Sequence, residues 1–154
     1  EYFKQNLKED KVFIINDRPD ICYSINADGV HIGQKDISFK FAKQILSDDK
    51  IIGISTHNLS QVKNALRLEP NYSAYGPIFQ TNTKITKEKP KGLKLLKDIS
   101  KFSNLPVVAI GGINIENAKS VINAGADKIA VISDILTSKN IKNQINNFLK
   151  ILKI

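Results

Sequence analysis

Two carboxylates, Asp17 and Asp36, each follow a short apolar run closely. A pair of hard oxygen donors is what Mg²⁺ takes when substrate phosphates complete its shell. Each has a plainer reading: Asp36 as an Asx turn leading to Ser38, and Asp17 as the ion-pair partner of Arg18. A second group, Thr81-Asn82-Thr83-Lys84, offers two hydroxyls, successive backbone N–H groups and an ammonium within four residues. That set suits a phosphate, although Thr and Asn are common in any loop. Gly111-Gly112 would let the backbone approach a ligand closely, and Ile132-Ser133 precedes a long helical pattern whose first N–H groups favour an anion. A tight turn and a simple cap are the bland alternatives. His31 falls inside an apolar run and reads as a core or barrel-lining residue, whereas His57, just past Ser55, suits a helix cap or a place beside a ligand. Neither has the nucleophile and acid needed for a triad. Cys22 lies on a helical face, and no Cys/His spacing of the zinc type occurs.

These residues need elements to position them. Short β-rich runs alternate with amphipathic stretches of helical length, the pattern of βαβ units and a parallel sheet. Strands are predicted at Val12–Asn16, Gly29–Ile32, Ile51–Ser55, Tyr72–Gly76, Val107–Ile110 and Lys128–Ile132. Helices are predicted at about 18–26, 38–47, 58–68, 92–103, 114–124 and 134–152, with Ser38, Asn58 and Asn114 as caps. The strands end at Asn16, Gly33, Ser55, Gly76, Gly111 and Ile132, so successive ends lie 17, 22, 21, 35 and 21 residues apart. A repeat near 21 implies stacked βα units. The one long interval contains Phe79 to Lys91, a polar loop with Lys84, Lys87, Lys89 and Lys91, either a solvated run or a lid over anions. Ala27-Asp28-Gly29 and Ala126-Asp127-Lys128 echo each other at two strand starts.

Six units fall short of the eight of a closed (β/α)8 barrel. Residues 1–10 read as the tail of a helix before the first strand, so the expectation is one N-terminally incomplete α/β barrel domain over 1–154. An open doubly wound sheet is the alternative, but no Gly-rich dinucleotide fingerprint follows the first strand. In either architecture ligands sit at the carboxyl ends of the strands, where all the residues above converge.

Composition narrows the functional classes. The chain has 154 residues, 42% hydrophobic and 25% charged, as an ordinary globular domain does. Its net charge of +8 would suit nucleic acid, but the lysines are spread over nearly every predicted helix without interleaved aromatics, so no nucleic-acid partner is expected. No apolar run approaches the roughly 20 residues of a membrane span, and the start lacks a signal-peptide core. With one cysteine and hence no internal disulfide, the expected setting is the cytoplasm. A homo-oligomer is compatible with all of this.

Read in order, Ile15-Asn16-Asp17-Arg18, Ala27-Asp28-Gly29-Val30-His31-Ile32-Gly33-Gln34-x-Asp36, Ile52-Gly53-Ile54-Ser55-Thr56-His57-Asn58, Gly76-Pro77-Ile78-Phe79-x-Thr81-x-Thr83-Lys84 and Ala109-Ile110-Gly111-Gly112-Ile113 resemble the thiamine-phosphate synthase family over essentially the whole chain. The resemblance implies a (β/α)8 barrel that joins 4-amino-2-methyl-5-hydroxymethylpyrimidine diphosphate to 4-methyl-5-hydroxyethylthiazole phosphate, releasing pyrophosphate. It implies Asp17 and Asp36 as Mg²⁺ ligands, and Asn16, Ser55 and Lys84 as contacts to the pyrimidine diphosphate, Ser55 and Lys84 also serving catalysis. Thr81, Asn82 and Thr83, with Gly112, Ile132 and Ser133, would form the thiazole-phosphate site. The family's Gln-x-Arg-x-Lys motif, on an earlier strand, has no counterpart here. Two rivals remain: a thiazole tautomerase-like isomerase, whose basic histidine position is Pro77 here, and a non-catalytic binder of phosphate ligands.

Overall fold

The computed structural model describes residues 2–8, 10–83 and 88–152. After a short helix, α1 (Tyr2–Asn6), come strands β1 (Ile14–Asn16), β2 (Gly29–Ile32), β3 (Ile51–Thr56), β4 (Tyr72–Tyr75), β5 (Val107–Ile110) and β6 (Lys128–Ala130). Helices α2 (Pro19–Ser24), α3 (Phe39–Ile45), α4 (Leu59–Leu68), α5 (Gly92–Phe102) and α6 (Ala118–Asn123) alternate with them, and α7 (Ser133–Leu136) and α8 (Ile141–Leu152) follow. The six strands pair in parallel in strict chain order. A doubly wound sheet reverses its strand order at a switch point, so sequential order excludes it. The sheet curls as six-eighths of a (β/α)8 barrel would.

Side chains alternate across the strands, and one face meets the helices. There Val30, Ile32, Ile52 and Ile54 pack with Cys22, Ala42 and Leu46 in one buried cluster. A second joins Tyr75, Val107 and Ala109 to Val62, Leu96, Ile99, Val121 and Phe148. At roughly 1.5–3 kcal/mol for each fully buried aliphatic side chain, these clusters outweigh any single polar contact in the fold. Cys22 is fully buried, as an inert thiol should be.

The echo around Asp28 and Asp127 has a structural cause. Asp28 accepts the backbone N–H of Phe13 at 2.7 Å, and Asp127 accepts that of Val107 at 2.7 Å. Asn71 does the same for Ile52 at 2.8 Å. In each case the residue just before a strand latches the start of the preceding one. The latches join β1 to β2, β3 to β4 and β5 to β6, in alternate strand pairs.

Several predicted boundaries shift for local reasons. The single helix expected over 134–152 is two: Thr137 Oγ1 donates to the Ser133 carbonyl at 2.8 Å as α7 ends, and Asn140 caps α8 by accepting from the Asn143 N–H at 2.9 Å. Asn114 does not cap α6, because its Oδ1 accepts the N–H groups of Glu116 and Asn117, both at 3.0 Å, in a turn that ends before the helix. β6 stops at Ala130 because Ile132, at φ −117° and ψ −78°, has already left the extended region. Ser38 and Asn58 cap α3 and α4 as expected.

Candidate functional site

Six of the residues singled out at the late strand ends share one cavity of about 660 Å³: Thr81, Asn82, Thr83, Gly112, Ile132 and Ser133. The loops after β4 and β5 are zipped side by side to form its wall. Ile78 N–H donates to the Ile110 carbonyl at 2.9 Å, and Phe79 N–H to that of Gly111 at 3.0 Å. Gly112 is required by this contact: its φ is +65°, and a Cβ there would lie 2.4 Å from the Gln80 carbonyl oxygen. Thr81 Oγ1 lies 3.3 Å from Thr83 Oγ1 and also accepts the Thr83 N–H, which fixes both hydroxyls on one short turn. Ser133 opens α7, a helix of only four residues, so its hydroxyl and nearby N–H groups contribute more here than a helix dipole can.

Sequence reasoning missed Gln80, Asn114, Asp134 and Thr137, which also line the cavity. Asp134 is held at its rim, accepting from Ile115 N–H at 3.1 Å and Gln144 Nε2 at 2.7 Å. No sequence signal marks it, since its partners lie on other elements. Lys84 and Lys87 fall outside the described residues. Lys91 pairs with Glu88 at 2.7 Å at the foot of the same loop and holds that carboxyl below its ordinary range. Lys91 N–H also bonds the Pro77 carbonyl at 2.8 Å, and Gly92 N–H that of Ile78 at 3.0 Å, so the loop leaves and re-enters the barrel at one point.

At the early strand ends, Asp17 and Asp36 follow the neighbouring strands β1 and β2. Asp17, at φ 64°, donates its N–H to the His31 carbonyl on β2 at 2.8 Å. Asp36 uses Oδ2 to accept the Gly33 N–H at 2.7 Å, three residues back, so this oxygen closes the loop after β2 instead of making the expected Asx turn toward Ser38. Arg18 is engaged by Asp20, with Nε to Oδ1 at 2.8 Å, and the guanidinium holds that carboxyl down at about 2. Two carboxylates with no third acid, His or Cys grouped beside them among the described residues make no all-protein cage. They would suit Mg²⁺ completed by water and phosphate oxygens. Asn16 lies at the β1 end and is exposed.

The concave face carries a polar layer. Asn16, His31, Gly53 and Tyr72 are register partners across β1 to β4. Gly53 has no side chain, and the Tyr72 ring occupies that space; a Cβ at 53 would lie 2.0 Å from Tyr72 Cζ. Tyr72 stacks on His31, with centroids 5.6 Å apart and planes 16° from parallel, and its hydroxyl is 3.0 Å from His31 Nδ1. His31 Nε2 is 2.7 Å from Ser55 Oγ. His31 is thus barrel-lining, as expected. His57 is structural: its Nδ1 donates to the Gly76 carbonyl at 2.7 Å, and its N–H to Gln61 Oε1 at 2.7 Å.

Fold and site together define a parallel β/α-barrel protein with a polar face at the carboxyl ends of its strands. The family model for thiamine monophosphate synthase matches residues 4–135, and the chain belongs to that family. The thiamine-phosphate synthase of Clostridium novyi is 49% identical over 84% of this chain and 63% of its own length. The thiamine-phosphate synthase of Clostridium acetobutylicum is 42% identical over 99% of the chain and 75% of its own. The solved thiamine phosphate pyrophosphorylase of Pyrococcus furiosus superposes with a TM-score of 0.86 at 34% identity, covering 94% of this chain and 68% of that one. A 3-hexulose-6-phosphate synthase from Salmonella typhimurium, at 14% identity and a TM-score of 0.70, shares the fold. This chain therefore spans a little under two-thirds of the length of several relatives it matches.

Proposed function

We propose that the chain carries the catalytic face of a thiamine-phosphate synthase, a transferase joining a pyrimidine diphosphate to a thiazole phosphate. The observation that carries this reading is that Thr81, Asn82, Thr83, Gly112, Ile132 and Ser133 line one cavity, in a sheet whose first two strands are followed by Asp17 and Asp36. Its hydroxyls and backbone N–H groups suit the thiazole phosphate. Asn16, Ser55 and Lys84 would meet the pyrimidine diphosphate, and Asp17 and Asp36 would hold Mg²⁺.

The bond between the pyrimidine methylene carbon and the diphosphate oxygen breaks, and the electron pair leaves with pyrophosphate. The cation left behind is stabilised by the pyrimidine amino group and captured by the thiazole nitrogen. No protein nucleophile is needed, in keeping with His57 being committed to backbone contacts. Bound Mg²⁺ would neutralise charge on the diphosphate. The chain's own contribution is positioning and fixed dipoles, which act where charge develops. With one cysteine, and with no described helix long and apolar enough to cross a membrane, we place this activity in the cytoplasm.

The test mixes the protein, as this chain and as the complete gene product, with both phosphorylated precursors and Mg²⁺, and assays thiamine phosphate. Its formation in either supports the reading. Its absence from both rejects a synthase in favour of a phosphate-ligand binder.

A further inference from the structure

The inner face of the barrel holds a hydrogen-bonded chain, Tyr72–His31–Ser55, of which the proposed chemistry uses only Ser55. We infer that Tyr72 and His31 are positioning residues that turn the Ser55 hydroxyl into an obligate hydrogen-bond donor for a diphosphate oxygen. This rests on the proposed function for the identity of the ligand, while the hydrogen-bond logic stands on geometry alone.

A neutral imidazole has one donor and one acceptor nitrogen. With Tyr72 Oη at 3.0 Å from Nδ1 and Ser55 Oγ at 2.7 Å from Nε2, two arrangements exist. If Tyr72 donates to Nδ1, Nε2–H donates to Ser55, whose own proton is then free to point at a ligand. If Ser55 donates to Nε2, Nδ1–H must donate to the phenol oxygen, and Ser55 offers a ligand only lone pairs. A phenol is the more acidic donor and the poorer acceptor of the two hydroxyls, so the first arrangement is the stable one. Burial also pushes the Tyr72 phenol up from its ordinary value, which keeps its proton in place.

The surroundings hold the three residues in place. The Tyr72 ring is stacked on His31 and seated over Gly53, so neither ring can swing away. The backbone of Ser55 is held as well, because Gln34 Nε2 donates to its carbonyl at 2.6 Å. A diphosphate oxygen accepts hydrogen bonds and donates none. A serine whose lone pair is occupied by Nε2–H, leaving its proton exposed, complements it; a serine that has given its proton away does not.

Inorganic pyrophosphate with Mg²⁺ is the probe. Ser55→Ala should weaken its binding about tenfold, the scale of one hydrogen bond to a charged group. Tyr72→Phe should weaken it comparably by releasing the His31 tautomer, and the double variant should bind no worse than Ser55→Ala alone. A merely structural Tyr72 would instead give additive losses. His31→Gln, whose amide keeps a donor toward Ser55, should bind better than His31→Leu. Nitrogen-15 NMR of the histidines should find His31 as the Nε2–H tautomer. Additive losses, the Nδ1–H tautomer, or no pyrophosphate binding by the unaltered protein would each overturn the inference. Coupled pyrophosphate binding in a protein that makes no thiamine phosphate would leave it standing and remove the proposed reaction instead.

Discussion

Asp36 reaches back over its own turn and takes the N–H of Gly33 at 2.7 Å, so a residue proposed for metal binding also closes the loop after β2. The two duties separate by substitution. In Asp36→Asn the amide oxygen can still accept from Gly33, so thermal stability should stay near that of the parent while Mg²⁺ affinity falls at least about tenfold with the lost charge. Asp36→Ala should lose both. Calorimetric titration with Mg²⁺ and pyrophosphate, beside thermal unfolding, reads the two effects; unchanged Mg²⁺ affinity in Asp36→Asn would remove Asp36 from the metal site.

Gly112→Ala tests the zipped wall of the late cavity. The left-handed backbone costs alanine about 1–2 kcal/mol, and the new methyl must push the Gln80 carbonyl aside. The expected result is a lower urea midpoint together with weaker binding of thiazole phosphate, since the displaced strand of loop carries Thr81 and Thr83. Full affinity in a folded variant would show that the wall is not part of the site.

Tyr75 is fully buried among apolar side chains, and no described group reaches its hydroxyl. Burial raises its phenol to about 12. Because the folded-state value lies above the unfolded one near 10, the fold should keep full stability below pH 10 and lose some between pH 10 and 12, as the unfolded chain ionises first. Tyr75→Phe removes a desolvated hydroxyl and should be neutral or stabilising by about 1 kcal/mol at pH 7, with a shallower alkaline decline. Urea unfolding at pH 7 and at pH 11 measures both, and a loss of more than about 1 kcal/mol at pH 7 would mean the hydroxyl has a partner.

Asp127→Ala strands the N–H of Val107, itself 1% exposed, and should destabilise by about 1–3 kcal/mol. Asp127→Asn keeps an acceptor oxygen and should cost less than half as much. Equal losses would place the effect in charge rather than in the hydrogen bond.

Much of this was legible from residue order. The short β-rich apolar runs located all six strands within two residues, and the near-constant spacing of their ends marked them as βα units, because a parallel strand and its crossover helix have a minimum length. The late site was legible for the same reason: Thr81, Gly112 and Ser133 follow successive strands, and successive strands are neighbours in a singly wound sheet. The break at Asn140 was hidden because Thr137 and Ser138 extend a helical pattern that only side-chain bonds to the backbone interrupt. Tyr72 was hidden more deeply. Its reach to His31 depends on an empty position at Gly53 on the strand between them, and no single-strand pattern encodes a vacancy next door.

The latches by Asp28, Asn71 and Asp127 add a side-chain bond at the N-terminal edge of every second strand pair. The seam between β2 and β3 is closed by other means: its own ladder, the Ile51 N–H to Asp28 carbonyl bond and the His31–Ser55 side-chain contact at 2.7 Å. The sheet is therefore pinned near both ends of its strands, by the carboxylate and amide latches at the N-terminal edge and by the His31–Ser55 contact and the zipped loops after β4 and β5 toward the other.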